Sequence, residues 1–146
     1  MRPRMLALPV ALAAVVALAA CGSSSTKDNA PSKAEYITSA DNICRAGNTA
    51  TNRLTAKLTK DSTEAEFATY KAAVVPALRN QITSLRALKP PAGDDAKVKG
   101  IYDQVEAATG KLDATAPADI PAFFRADPFA APNKAATDYG MKECGK

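Results

Sequence analysis

The first 20 residues differ from the rest of the chain in charge and hydropathy, and they limit what remains to fold. Arg2 and Arg4 form a short positive region, and residues 5–18 are uncharged and almost entirely Leu, Ala, Val and Met. This apolar run has the length of a signal-peptide core and is shorter than the roughly 20 residues of a membrane-spanning helix. We predict that residues 1–20 are a cleaved signal peptide. The remaining 146 − 20 = 126 residues suffice for one domain with one modest core.

The apolar run ends in Leu18-Ala19-Ala20-Cys21. These four residues resemble the lipobox that the bacterial lipoprotein pathway reads. The resemblance implies a diacylglyceryl group on the Cys21 sulfur and cleavage between Ala20 and Cys21. Two acyl chains, at about 0.8 kcal/mol per buried CH₂, form a stable anchor. We expect a lipid-anchored protein at the cell membrane, facing outside the cytoplasm. A simple export signal with an incidental cysteine and an uncleaved anchor are the alternatives.

The chain has three cysteines, an odd number that a lipid on Cys21 explains by leaving Cys44 and Cys144 as a pair. Disulfides persist outside the cytoplasm. Closing a loop of 144 − 44 = 100 residues stabilises the fold by up to about 4.7 kcal/mol on the chain-entropy model. Because no Cys-x-x-Cys spacing is present, we predict a structural Cys44–Cys144 disulfide. Two free, redox-active thiols are the alternative.

The mature chain begins with a polar stretch and continues with apolar positions repeated every three or four residues. Residues 21–32 are predicted to be a lipidated flexible linker with an end-to-end distance of about 18 Å. The domain over 33–146 is predicted to be all-α, a three- to four-helix up-down bundle. The first helix is expected over 33–58, with Ser32 and Glu35 as a capping box. The apolar stripe of this first helix is Tyr36, Ala40, Ile43, Gly47, Ala50, Leu54 and Leu58.

Proline, glycine and aspartate residues mark the predicted starts, kinks and ends of the later helices. The second helix is expected to end at Leu88 and to kink at Pro76, with Tyr70 covering the gap that Lys71 leaves in its apolar face. Asp94 and Asp95 are interpreted as caps of a third helix, which Gly110 and the Thr115-Ala116-Pro117 run are expected to end. Residues 118–127 are ambiguous and suit a short helix. Asp127-Pro128 is expected to begin a last helix, distorted at its start by Pro132 and closed by a left-handed Gly140 onto which Met141 folds back.

Three short motifs together resemble a family of small, Ala-rich lipoproteins and secreted proteins of actinobacteria. They are Ile43-Cys44, the Leu-Lys-Pro-Pro at 88–91 and the Tyr-Gly-Met-Lys-Glu-Cys-Gly at 139–145. The resemblance implies a helical bundle with the Cys44–Cys144 bridge and supplies no catalytic residues. Pro132 departs from the family pattern and puts the length of the last helix in question.

Composition argues against several classes of function. The chain has no histidine, the commonest general base and metal ligand. Its net charge of +4 falls to +2 without Arg2 and Arg4, and the lack of a basic block gives little support for nucleic-acid binding. No Gly-rich phosphate loop, Gly-x-Ser-x-Gly or metal-ligand spacing occurs. We therefore predict a non-enzymatic protein without cofactor or metal, and we interpret Asp94 and Asp95 as helix caps rather than a catalytic pair.

Two residue sets remain as candidate binding surfaces. Arg53, Lys57 and Lys60 are expected to share one face at the end of the first helix, where they either contact anionic headgroups or polymer or form an ordinary solvated face. The aromatic residues Tyr102, Phe123, Phe124 and Phe129 either line an apolar pocket or pack in the core.

Three hypotheses for function follow. The first is a membrane-anchored, non-enzymatic binding module whose partner is an envelope protein, a polymer or a small ligand. The second is a carrier of a small apolar ligand in the bundle core, for which a core without a cavity would be contrary evidence. The third is a thiol–disulfide redox protein using Cys44 and Cys144.

Overall fold

The structure, a computed structural model, describes residues 30–146, and this part of the chain is all-helical as predicted. The predicted signal peptide, the predicted cleavage site, Cys21 and most of the predicted linker lie outside the described residues. Within residues 30–146 no helix is long and apolar enough to cross a membrane. The described residues form five α-helices, which are α1 (Lys33–Thr55), α2 (Glu64–Arg86), α3 (Asp95–Ala114), α4 (Ile120–Arg125) and α5 (Ala130–Tyr139), with a 3-10 turn over Pro117–Asp119.

Both N-terminal helices begin at complete capping boxes. The Glu35 backbone N–H donates to the Ser32 hydroxyl, and the Ser32 backbone N–H donates to the Glu35 carboxylate at 2.8 Å. Thr63 and Glu66 repeat the arrangement at the start of α2. These bonds satisfy helix N–H groups that otherwise have no partner, so the start of each helix is fixed locally.

The first helix ends at Thr55 rather than at Leu58 as expected. The backbone N–H groups of Lys57 and Leu58 donate to carbonyls three residues earlier, which tightens the chain into a turn. Leu58 then packs against the core from this turn rather than from the helix. The predicted stripe is buried at Tyr36 and Ala40, but Ala50 is exposed, and the apolar spacing did not locate the helix end.

The second helix continues through Pro76, whose ring is exposed. Tyr70 is buried as expected. The Lys71 ammonium reaches the end of α3 and donates to the carbonyls of Asp113 and Thr115 at 3.0 and 2.8 Å. The lysine that interrupts the apolar face therefore caps a neighbouring helix, whose last carbonyls favour a cation.

One prediction for α3 is confirmed and one is wrong. The helix continues through Gly110 and ends at Ala114, directly before the Thr115-Ala116-Pro117 run that was predicted to end it. Asp94 is the N-cap residue, yet its side chain makes no capping hydrogen bond. Its carboxylate instead accepts a hydrogen bond of 2.7 Å from the Tyr139 hydroxyl, because the end of α5 lies beside the start of α3.

The predicted short helix is present as α4, but the expected Asp127-Pro128 start of the last helix is wrong. Asp127 has a left-handed φ of 46°, and α5 begins after Phe129. Pro132 lies in the first turn of α5, where its missing N–H costs no helical bond. Gly140 has a φ of 114°, and Met141 donates to the Ala136 carbonyl and is fully buried, as predicted.

The long helices form an up-down bundle in which α1 packs on α2, α2 on α3, and α3 on α5. The Tyr36 and Tyr139 rings meet edge to face at 6.2 Å and connect α1 with α5 at the end nearest the linker. Further along, these two helices are joined by residues 140–146, which we call the 140–146 segment. The candidate site described below lies along the seam between α1 and α5.

Candidate functional site

A cleft of about 220 Å³ lies inside the bundle between α1, α2, α3 and α5. Its walls are largely apolar, because α2 and α3 turn their buried stripes toward it and α4 adds an aromatic ring. The main apolar lining residues are Tyr70, Val74, Leu78, Ile82, Leu112 and Phe124. An engineered cavity of about 150 Å³ binds benzene, so this cleft has room for a somewhat larger apolar molecule.

Polar side chains line the side of the cleft formed by α1 and α5. Thr51 bonds to its own helix, donating to the Gly47 and Asn48 carbonyls at 3.2 Å. The Asn48 and Asn133 amides donate to the carbonyls of Glu143 and Lys146 at 2.7 and 3.3 Å. Each of these three groups therefore already has a protein partner.

Gln81 differs from these groups because its carboxamide makes no hydrogen bond to any residue in the described range. It projects from α2 across the cleft toward Gly47 on α1, where a Cβ atom would collide with the Gln81 carboxamide. Gln81 is only partly buried. The glycine that lowers the helix propensity of α1 thus makes space for this side chain.

The 140–146 segment closes one end of the cleft. The predicted disulfide is confirmed, with the Cys44 and Cys144 sulfurs bonded and their Cα atoms 5.0 Å apart. The Asp41 carboxylate also accepts from the backbone N–H groups of Glu143 and Cys144 at 2.9 and 3.3 Å. Cys44 is 1% exposed, whereas Cys144 is partly exposed. Because reactive cysteines are partly accessible, the burial of Cys44 favours a structural bridge at that sulfur.

The charged group at the edge of the cleft is internally paired. The Lys146 ammonium donates to the Glu143 carboxylate at 2.7 Å, and this hydrogen bond is the main reason that the pKa of Glu143 lies below its usual value. A mostly polar surface depression shares Asn48, Thr51 and Lys146 with the cleft, which places the polar edge at the mouth. A ligand carrying a charge meets no free opposite charge here.

A buried tyrosine cluster lies behind the cleft. The Tyr36 and Tyr102 hydroxyls are 2.6 Å apart, and the Tyr102 hydroxyl also faces the Met141 sulfur at 3.8 Å. Burial is the main cause that raises the pKa values of Tyr36, Tyr102 and Tyr139. These hydroxyls are therefore neutral hydrogen-bonding groups across the physiological pH range.

The structure does not bring the expected basic residues together on one helical face. Arg53 lies in the last turn of α1, while Lys57 and Lys60 follow the helix, and Lys60 pairs with Asp61 at 2.7 Å. Arg53 lies 53 − 33 = 20 residues along the helix from Lys33, about 30 Å from the linker end. Arg53 is therefore at the opposite end of α1 from the start of the described chain.

The expected aromatic set is divided between two parts of the core. Phe123 packs edge to face on Phe124 and Phe129, at 5.4 and 6.3 Å between ring centres. Tyr102 belongs to the tyrosine cluster at the other end of the bundle. Phe124, Phe129 and Tyr102 all contribute to the cleft wall, so the pocket interpretation holds for these three.

Sequence reasoning missed Gln81, Asn48 and Asn133. A signal existed for Gln81, because it follows Leu78 by three residues and precedes Leu85 by four, a buried position in the apolar stripe of α2. Cys44, Asn48, Thr51 and Thr55 continue the inward face of α1 at steps of three and four. A polar residue at such a position is the pattern expected of a side chain facing a cleft.

The comparisons found no matching family model, no matching curated protein and no matching solved structure. The actinobacterial resemblance therefore stays a prediction. Across residues 30–146, no group of three or more cysteine and acidic side chains is placed to hold a metal ion.

Proposed function

We propose that this protein is a lipid-anchored binding module of the cell envelope that holds a small apolar ligand in the cleft and catalyses no reaction. The observation that carries the proposal is the cleft of about 220 Å³ behind the α1–α5 seam. The cleft favours the ligand carrier over the redox protein. Tightly packed protein interiors leave few voids larger than a water molecule, so a space of this size is available to a ligand.

The chemistry of the walls supports a binding role. Pockets for small molecules are mostly apolar, with a few polar groups that orient the ligand, and this cleft has that composition. The absence of histidine from the sequence and the caps and ion pairs made by the acidic residues favour binding over catalysis. Anchoring by Cys21 rests on the lipobox and places the cleft outside the cytoplasm.

The binding step is tested with naphthalene, an uncharged two-ring probe, and the mature chain (residues 21–146) carrying Cys21→Ser to avoid the lipid. Thr51→Phe places a large side chain in the cleft and should abolish saturable naphthalene binding. Thr38→Phe is the matched control, because Thr38 lies on the exposed face of α1 and, like Thr51, donates to the carbonyl four residues earlier. Equal binding by both variants, or no binding by the parent chain, would contradict the proposal.

The anchor is tested separately in cells. Cys21→Ser removes the sulfur that carries the lipid, so the protein should move from the membrane to the soluble fraction in an uncleaved or misprocessed form. Retention at the membrane after this change would remove the basis for the proposed location while leaving the cleft proposal in place.

A further inference from the structure

We infer that the ligand of the cleft is an uncharged amphiphile, with an apolar body and one hydroxyl or amide group that hydrogen-bonds to Gln81. This inference rests on the proposed function and adds the chemical class of the ligand. It follows from three properties of the cleft: its size, its lack of a free charge and the presence of one polar side chain, Gln81, that makes no hydrogen bond within residues 30–146.

The size of the cleft limits the body of the ligand. Its volume of about 220 Å³ exceeds that of a benzene-binding cavity of about 150 Å³. It is smaller than the roughly 300–1,000 Å³ of pockets for drug-sized molecules. A two-ring aromatic or a short aliphatic body matches this space, and Tyr70, Phe124 and Phe129 offer aromatic faces to it.

The lack of a free charge in the cleft excludes ionised ligands. The Lys146 ammonium at the edge is paired with Glu143, and no other ionised side chain lines the described cleft. Transferring a carboxylate or an ammonium group from water into such a site is costly, because nothing compensates for the lost hydration. The ligand is therefore neutral at physiological pH.

The hydrogen-bonding groups of the cleft determine which polar group the ligand carries. Asn48, Asn133 and Thr51 already donate to protein carbonyls. Within residues 30–146 the Gln81 carboxamide has no hydrogen-bond partner, so its two N–H donors and its carbonyl acceptor are available, and it lies among Leu78, Ile82 and Leu85 on the cleft side of α2. A group that both donates and accepts, such as a hydroxyl or an amide, uses this capacity better than a pure acceptor does.

The experiment compares three probes of the same shape, naphthalene, 2-naphthol and 2-naphthoate, by calorimetric titration of the oxidised mature chain carrying Cys21→Ser. We expect 2-naphthol to bind about two- to tenfold more tightly than naphthalene, the range that one neutral hydrogen bond supplies. The anion 2-naphthoate should bind about tenfold or more weakly than 2-naphthol.

Two variants identify the residue responsible. Gln81→Met keeps roughly the length of the side chain and removes its hydrogen bonds, so it should reduce the ratio of 2-naphthol affinity to naphthalene affinity to about one, whatever its effect on naphthalene binding itself. Gln104→Met is the matched control, because Gln104 is exposed on α3 and should preserve the preference. The comparison of probes on the parent chain stands even if a variant does not fold.

Each other result has a definite meaning. Equal binding of naphthalene and 2-naphthol, tighter binding of 2-naphthoate, or a preference that survives Gln81→Met overturns the inference but leaves the proposed function standing. Failure of naphthalene and 2-naphthol alike overturns both. Probe affinity that falls as protein concentration rises means that a second copy of the chain covers the cleft, and this also overturns the inference.

Discussion

The hydroxyl oxygens of Tyr36 on α1 and Tyr102 on α3 lie 2.6 Å apart in the buried core. Their side chains are 1% and 2% exposed, so neither hydroxyl has ready access to water. The pair links two helices that are diagonal to each other in the bundle, and the contact between Tyr102 and Met141 extends the link to the 140–146 segment. The cleft is thereby backed by a rigid polar contact.

The two hydroxyls of this pair should be energetically coupled. The losses of unfolding free energy in the two single variants should together exceed the loss in the double variant. We expect Tyr36→Phe to lower the free energy of unfolding by about 1–2 kcal/mol, because it leaves the buried Tyr102 hydroxyl with only a weak sulfur partner. Tyr36→Phe/Tyr102→Phe should cost less than the sum of the single changes. Urea denaturation of the four proteins measures the coupling, and strict additivity would contradict it.

Stability should decrease at alkaline pH because of the same cluster. Burial raises the pKa values of Tyr36, Tyr102 and Tyr139 above the unperturbed 10.0. Above pH 10 the unfolded chain ionises these hydroxyls while the folded protein keeps them protonated, so unfolding releases protons. Each tyrosine then lowers the free energy of unfolding by up to about 1.4 kcal/mol per pH unit, and none has this effect below pH 9.

Denaturation midpoints measured from pH 8 to pH 11 check this sign. Tyr36→Phe/Tyr102→Phe removes two of the three ionising groups and should flatten the alkaline decrease. A midpoint that rises above pH 10, or a double variant with an undiminished slope, would show that the buried hydroxyls are not its origin.

Loss of the disulfide should destabilise the bundle strongly. Cys44→Ser/Cys144→Ser opens a loop of 100 residues and should lower the free energy of unfolding by up to about 4.7 kcal/mol. The Asp41 and Asn48 hydrogen bonds to the 140–146 segment remain, so the native fold should still form at low temperature. Guanidinium denaturation measures the difference, and a loss below about 1 kcal/mol would argue against a structural role.

Two glycine substitutions should separate stability from binding. Gly47→Ala improves helix propensity, but its new methyl group displaces the Gln81 carboxamide into the cleft. We expect naphthalene affinity to fall severalfold, with a change in stability within about 1 kcal/mol. Gly110→Ala is the matched control, because a Cβ there meets nothing within 4 Å.

The control should gain about 0.5–1 kcal/mol of stability and bind naphthalene as the parent does. Calorimetric titration and thermal unfolding of both variants measure the two properties together. Parental affinity in Gly47→Ala would mean that Gln81 moves away from the cleft rather than into it.

Features that depend on local chemistry were predictable from the sequence. The capping box at Ser32 and the left-handed Gly140 with its buried Met141 each involve residues within a few positions of one another, and all are present. The Cys44–Cys144 disulfide was predictable for a different reason. The predicted export signal and the predicted lipid on Cys21 leave these two cysteines as the remaining pair.

Features that depend on contacts between distant segments were not predictable. The Asp94 carboxylate had the sequence context of a cap but bonds to Tyr139, 45 residues away. The observed end of α1 and the observed start of α5 differ from the predicted ones, because turn hydrogen bonds and the left-handed conformation of Asp127 override the apolar spacing. The cleft itself arises from the separation of α1 and α5 along their seam, which no local pattern encodes.

The central claim is that the cleft is open to a small apolar molecule in the folded, oxidised protein. Titration of the ¹⁵N-labelled mature chain carrying Cys21→Ser with naphthalene, followed by two-dimensional NMR, tests this claim most directly. We predict saturable shift changes at the Gln81 side-chain amide and at the backbone amides of Val74, Leu78 and Asn133. An absence of saturable changes, or changes confined to the surface groove at Leu88 and Val98, would contradict it.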